Sequence, residues 1–407
     1  MNAHLADDLR DDLRLRGSVV LFMSLAAALG TSTIYPLQPA IAEVAGSLHT
    51  SIAVAGFALA GGPIGYLVGL GLIVPMIDRF SPGRTLAMQF GALAVALAVS
   101  AVADRAWQVG LLIGVIGACS SVGASLSSLA GRLAPAHRRA TVLGIVTAGI
   151  SAGILAGRIA GGWLAEEIGW RGMLLVFAVA CLCAAGLCLV LLPATRGAAE
   201  LDYLATLRSL PGLFVRHPTL RVAAVCGALW FFAFCAVWAG LAVALSAPPF
   251  SYSAEQIGLY ALAGLAGIPA TQLAGIWTDR VGARRVILLG LALAGTALFI
   301  TGPTLANTIA VLICLALFDA GLFAAQVANQ STVLAIDPNA PARFNSAYML
   351  VYFIGGSLGT ACGAASVEWF GWTATALSAV GAIGIAAAIA ALSARGEVRA
   401  GARGPSL

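Results

Sequence analysis

A chain of 407 residues that is 60% hydrophobic and only 10% charged has a mean hydropathy of +0.96. Soluble domains run near 45–50% apolar and about 25% charged, so a water-soluble enzyme, a disordered chain and, despite the net charge of +5, a nucleic-acid binder are excluded. What remains is an all-α membrane protein with apolar sequence enough for about twelve helices of ~20 residues each.

The chain opens on a polar segment, residues 1–17, with no small-residue cleavage site behind a short apolar run. It reads as the lead-in to an uncleaved first helix. Apolar runs follow at about 18–43, 50–77, 85–103, 107–130, 141–166 and 172–192, numbered here as spans 1 to 6. Residues 193–220 are more polar, hold several prolines and read as a linker. Spans 7 to 12 are predicted at about 221–246, 255–277, 286–302, 308–335, 343–368 and 373–394, before a tail at 395–407. The expected organisation is therefore two six-helix bundles, 18–192 and 221–394, joined by that linker.

All 22 basic residues are arginines. Nineteen fall on one side of this alternation, only Arg105 and Arg171 on the other, and Arg158 falls within a span. The positive-inside rule then predicts that both termini face the cytoplasm. The eight cysteines lie in apolar runs without a histidine cluster, so neither a zinc site nor a disulfide framework is expected. No phosphate-binding G-x-x-x-x-G-K-[ST] loop occurs, and no nucleophile with a base partner stands out. Neither a cofactor nor an enzymatic activity is predicted.

The halves repeat. Asp78-Arg79 returns 201 residues later as Asp279-Arg280, and Gly169-Trp170 returns 202 later as Gly371-Trp372. Gly153, Gly157 and Gly161 map at the same 202 onto Gly355, Gly359 and Gly363. Several pairs at one offset point to parallel repeats related by an axis along the membrane normal.

Two motifs carry chemistry. Gly275-Ile-Trp-Thr-Asp279-Arg280-Val-Gly282-Ala-Arg284-Arg285 follows span 8, and a degraded version, Val74 to Arg84 with Asp78, Arg79 and Arg84, follows span 2. On span 5, Gly144, Gly153, Gly157, Arg158 and Gly161-Gly162 form a comb that puts smooth surfaces four residues apart on one helix face. These motifs resemble those of the major facilitator superfamily, and within it the bacterial twelve-span drug- and sugar-efflux-type permeases. The first is similar to that family's G-x-x-x-D-R-x-G-R-R signature. The second is similar to its antiporter motif, with Arg158 where the family has proline. The resemblance spans residues 18–394. It implies that Asp78, Arg79, Arg84, Gly275, Asp279, Arg280, Arg284 and Arg285 serve as a conformational gate, and that Gly153, Gly157 and Gly161 allow helices to rock.

Two charges lie within spans, Arg158 on span 5 and Asp319 on span 10. Each costs about 2.5–3.5 kcal/mol at a helix centre, so both are expected to point into a bundle or a wet cavity. The resemblance implies that span 10 lines the pathway, which makes Asp319 the expected proton-coupling residue, with Arg158 tuning it or pairing with an anionic substrate group. Gln326, Asn329 and Gln330 share the Asp319 face of span 10. Together with the span 7 aromatics Trp230 and Phe234, Gln272 on span 8, and Asn345 and Tyr348 on span 11, they are the expected substrate contacts. Tyr35 and Gln38 join them from Tyr35-Pro36-Leu37-Gln38-Pro39 in span 1, where two prolines are expected to break the helix.

The activity this implies is proton-coupled export of a small organic compound or drug by alternating access, in a monomer of the bacterial inner membrane. Its partners would be a small-molecule substrate, protons and the lipid bilayer. Proton-coupled uptake of a metabolite, and a non-transporting receptor or scaffold of the same fold, are the alternatives.

Overall fold

The computed structural model describes residues 17–135, 137–192, 203–337 and 341–401. The arginines of the N-terminal segment, Arg196 and Arg403, and the side chains of Arg208, Arg395, Arg399 and the expected gate residue Asp78 lie outside the described residues. The described chain is helical, with no strand. Among the described residues, nine stretches are long and apolar enough to cross a bilayer. Two of them, Thr141–Leu191 and Arg343–Ser393, are 51 residues each and hold two spans apiece. With the shorter helix Gly17–Ser32 the count reaches the twelve expected.

Each double helix bends at a glycine. Gly169 has φ 73° and ψ 157°, and Gly371 has φ 80° and ψ 173°. Only glycine occupies that region without strain of about 1–3 kcal/mol. The tryptophan after each turn is buried and donates through Nε1, Trp170 to Ser47 Oγ at 2.8 Å and Trp372 to the Thr301 carbonyl at 3.0 Å. The repeated Gly-Trp pair is thus a turn and its anchor. Replacing Gly169 or Gly371 by alanine is expected to lower stability by about 1–3 kcal/mol, read as a fall in unfolding temperature in detergent.

Four spans are interrupted. Span 1 is helical over Gly17–Ser32, passes through turns at 33–40 and resumes as Ile41–Ser47, because Pro36 and Pro39 donate no amide hydrogen. Span 2 comprises Ile52–Leu59 and Gly61–Leu72, and span 4 comprises Ala106–Cys119 and Val122–Leu133. Span 8 runs as Ala254–Leu259, a 3₁₀ turn Tyr260–Ala266 and Gly267–Val281, with Pro269 just beyond the 3₁₀ turn. The linker holds a helix, Tyr203–Arg216, that its Pro211-Gly212 pair conceals in the sequence. Arg221 caps its end by donating to the carbonyls of Phe214 and Val215, at 2.7 and 2.9 Å.

Contacts group the chain into two units. The first is Met1–Thr50, Gly61–Leu201 and Ser253–Leu259; the second is Ser51–Ala60, Asp202–Tyr252 and Tyr260–Leu407. A short segment from each half of the sequence is therefore counted with the other half.

The glycine comb is the spine of the first unit. Cβ atoms on Gly149, Gly153, Gly157 and Gly161 would strike the backbone of Ser24, Ala28, Ser32 and Pro36 in turn, so spans 5 and 1 touch main chain to main chain in four-residue steps. The second unit repeats the contact, with Gly355, Gly359 and Gly363 against Ala228, Phe232 and Ala236 of span 7. Small residues at every fourth position bring membrane helices this close. Gly144, at the head of the motif, faces open space.

Candidate functional site

In the first unit the break in span 1 meets span 5. Arg158 is 4% exposed; its Nε donates to Gln38 Oε1 at 2.9 Å, and its guanidinium lies over the Tyr35 ring, 4.8 Å from the centroid. The structure thus brings together Arg158, Gln38 and Tyr35, although Arg158 lies 120 residues from Gln38 in sequence. The turn at 33–40 releases Tyr35 and Gln38 from the helical stack, and Gly157 and Gly161, flanking Arg158, let span 5 approach it.

The breaks in spans 1 and 4 also meet. Thr33 Oγ1 and Ser120 Oγ are 2.6 Å apart, and Ser120 also donates to its own helix at Ile116. Beside them Gln89 on span 3, buried, donates to the Cys119 carbonyl at 2.9 Å and to Ser121 Oγ at 3.1 Å. Gln89 satisfies the backbone that the interruption of span 4 frees. Sequence reasoning passed over it, although a glutamine within an apolar span is the signal that could have found it.

In the second unit Asp319 is 2% exposed near the middle of Thr308–Leu334. Trp238 of span 7 donates Nε1–H to Asp319 Oδ1 at 3.3 Å. Phe234, one turn earlier, packs edge-on to Phe323 at 5.8 Å and lies 6.4 Å from the Trp238 ring. Trp230 meets Tyr352 at 5.0 Å, and Tyr352 stacks on Phe231 at 4.0 Å. The aromatic stripe of span 7 therefore lies buried against spans 10 and 11, with a carboxylate at one end.

At the other end the polar side chains of spans 10 and 11 pair with one another. Tyr348 donates to Gln326 Oε1 at 2.6 Å; Asn329 donates to the Ala223 carbonyl at 2.9 Å and to the Tyr348 hydroxyl at 3.4 Å. Gln330 donates to Asn345 Oδ1 at 2.9 Å. Gln326, Asn329 and Tyr348 thus form one connected group, with the Gln330–Asn345 pair on the same two spans. Gln272 stands apart and exposed.

The signature after span 8 sits at a helix end, where Gly282 takes φ 88° to turn the chain between Gly267–Val281 and Ala283–Thr304. Arg280, Arg284 and Arg285 lie at this end, Arg284 donating to the Ala391 carbonyl at 2.7 Å, and Asp279 precedes them. Gly275 faces open space. In the first-half version Arg79 and Arg84 flank the turn into span 3. Among the described residues no cluster of three or more His, Cys, Asp or Glu side chains is able to hold a metal ion.

Twelve apolar helices with interrupted spans, and with a buried charge in each unit, fit a membrane transporter. The family model for the Major Facilitator Superfamily matches residues 20–250 and 225–405. The chain belongs to that superfamily: it is a multi-pass membrane transporter, not an enzyme, and handles a small-molecule substrate within the bilayer. It is 30% identical over 367 residues to a protein of Escherichia coli O157:H7 named as the uncharacterized transporter YgaY, covering 89% of this chain and 92% of that one. It is 33% identical over 356 residues to the probable transporter SCO4007 of Streptomyces coelicolor, covering 86% and 81%. Among solved structures it resembles a bacterial homologue of the human lysosomal transporter Spinster, with TM-score 0.76, 16% identity and 93% and 97% of the two chains covered. A point mutant of the nucleoside transporter NupG gives TM-score 0.76 at 13% identity over 92% and 99%.

Proposed function

We propose that this transporter is a proton-coupled antiporter of the bacterial inner membrane that exports a small organic compound by alternating access. It would act as a monomer with both termini in the cytoplasm. The observation that carries the reading is Asp319, a carboxylate 2% exposed in the middle of an apolar span and held by the Trp238 indole. A charge so placed is retained at a cost of a few kcal/mol, and proton relays and substrate paths are where membrane proteins retain one. A carboxylate binds a proton when its surroundings dry or lose positive charge, and releases it when they wet or gain positive charge. Alternate exposure of Asp319 to the two sides of the membrane would turn that change in affinity into exchange of proton for cargo. The Arg158, Gln38 and Tyr35 group supplies a fixed positive charge, and the polar side chains of spans 10 and 11 supply donors and acceptors for cargo.

The test uses inverted membrane vesicles energised to an acid interior, with a pH-sensitive dye inside and a panel of organic cations, anions and neutral compounds added outside. Compound-evoked proton release, absent from vesicles holding Asp319→Asn, is the expected result. Compound flux indifferent to the pH gradient would overturn the coupling, and compound accumulation driven in the opposite sense would replace export with uptake.

A further inference from the structure

The linker helix Tyr203–Arg216 has a face that the protein covers and an edge that it leaves open. The helix packs against span 7 and against the long helix that begins at Pro341. On it Leu210 and Leu213 are buried and Phe214 is half-buried. Pro211 and Val215 are apolar yet exposed, Val215 to 78%. At about 3.6 residues per turn they share one stripe with positions 204 and 208, next to the buried face. The exposed Gly212 and Arg216 follow on the far side. From Tyr203 to Arg221 the sequence carries Arg208, Arg216, His217 and Arg221 and no acidic residue. An amphipathic helix whose only charges are positive is the pattern of a segment that lies on a membrane surface.

Hydrogen bonds hold the helix there. Only His217 stands between Arg216 and Pro218, where the 29-residue helix of span 7 begins. Arg221, one turn into that span, donates to the carbonyls of Phe214 and Val215 at 2.7 and 2.9 Å, and the His217 amide donates to the Leu213 carbonyl at 2.9 Å. The His217 ring meets Phe344 of span 11 edge-on, with centroids 4.9 Å apart. These contacts fix the elbow between the linker helix and a spanning helix, so the open edge stays beside the bilayer. The same end of the second unit carries Arg280, Arg284, Arg285 and Arg343 against Asp279 and Asp337, which leaves it positive.

We propose that the linker helix is a docking surface for anionic phospholipid headgroups: Pro211 and Val215 enter the apolar boundary of the leaflet and the arginines meet the phosphates. A leaflet places acyl chains directly beneath a layer of negative charge, the arrangement that an apolar edge beside guanidinium groups complements. Guanidinium groups also bind phosphate through paired hydrogen bonds. This role lies outside the transport reading and does not rest on it.

Hydrogen–deuterium exchange of the full chain tests the proposal in nanodiscs of phosphatidylethanolamine with phosphatidylglycerol and in nanodiscs of phosphatidylcholine alone. Peptides covering 203–217 are expected to exchange about tenfold more slowly in the anionic lipid. That difference should vanish in about 1 M salt, which screens charges beyond about 3 Å. The double variant Arg208→Gln/Arg216→Gln should abolish it. Val215→Gln alters a side chain that the protein does not cover, and should speed exchange about threefold in the anionic nanodiscs with the unfolding temperature near that of the parent. Equal exchange in the two lipids overturns the proposal, as does a difference that survives the double substitution. Protection that is equal in both lipids and still falls in Val215→Gln would give the edge to another segment of this chain or to a second copy, and overturns it too.

Discussion

Asp319→Asn is expected to abolish gradient-driven transport while leaving the fold intact. Asparagine has the same size, and its Oδ1 accepts the Trp238 indole N–H as the carboxylate does at 3.3 Å. What it loses is the capacity to bind and release a proton. Net transport under an imposed pH gradient in proteoliposomes should fall to background, whereas substrate-for-substrate exchange without a gradient should persist. The unfolding temperature should remain near that of the parent, since a like-for-like hydrogen bond is worth only about 1 kcal/mol. Undiminished gradient-driven transport would mean that the proton is carried elsewhere. Loss of both transport and exchange would make Asp319 a substrate contact instead.

The second large effect is on stability. Gly157→Val places a side chain where a Cβ alone would lie 2.5 Å from the Ser32 carbonyl oxygen, with that residue's Cα at 2.9 Å. Backbone cannot move aside as a rotamer does, so the two helices must separate and open the four-residue register from Ser24 to Pro36. Overpacking of this kind costs about 1–3 kcal/mol, and here the upper end is expected. Gly359→Val should do the same through Phe232 in the second unit. Gly144→Val supplies the control, because nothing lies within 4 Å of its Cβ position. Thermal unfolding in detergent should therefore rank the two buried variants well below the control. Equal losses in all three would mean that glycine matters along spans 5 and 11 for something other than contact.

Which parts of this were legible in the sequence follows from how far apart the interacting groups lie. Glycines at 153, 157 and 161 announce a smooth face by spacing alone. That the face meets residues 24–36 is a long-range contact no periodicity encodes. The same holds for Arg158. Its position inside an apolar run marked it as unusual, and Pro36 and Pro39 marked the break in span 1, but the Gln38–Arg158 bond appears only once the two spans are packed. The Gly-Trp repeat was visible as a repeat and became intelligible through the positive φ of Gly169 and Gly371. The contacts around the Gly169-Trp170 turn were illegible for the opposite reason: Glu43, Ser47, Ala103 and Arg171, which hydrogen-bond there, are ordinary residues at span ends, and nothing but proximity unites them. The polar side chains on spans 10 and 11 lie between these cases. A shared face on span 10 collected Gln326, Asn329 and Gln330, while their pairing with Tyr348 and Asn345 required the fold.

The segments 51–60 and 253–259, each grouped with the other half of the sequence, obey the repeat. Gly56 meets Ala364 in the second unit, and Gly258 meets Gly162 in the first. Positions 56 and 258 are equivalent under the 202-residue repeat, as are 162 and 364, so the two contacts are one contact made twice in opposite directions. A substitution at either glycine therefore has a counterpart in the other unit, and thermal unfolding of Gly56→Val beside Gly258→Val reads the same close approach twice.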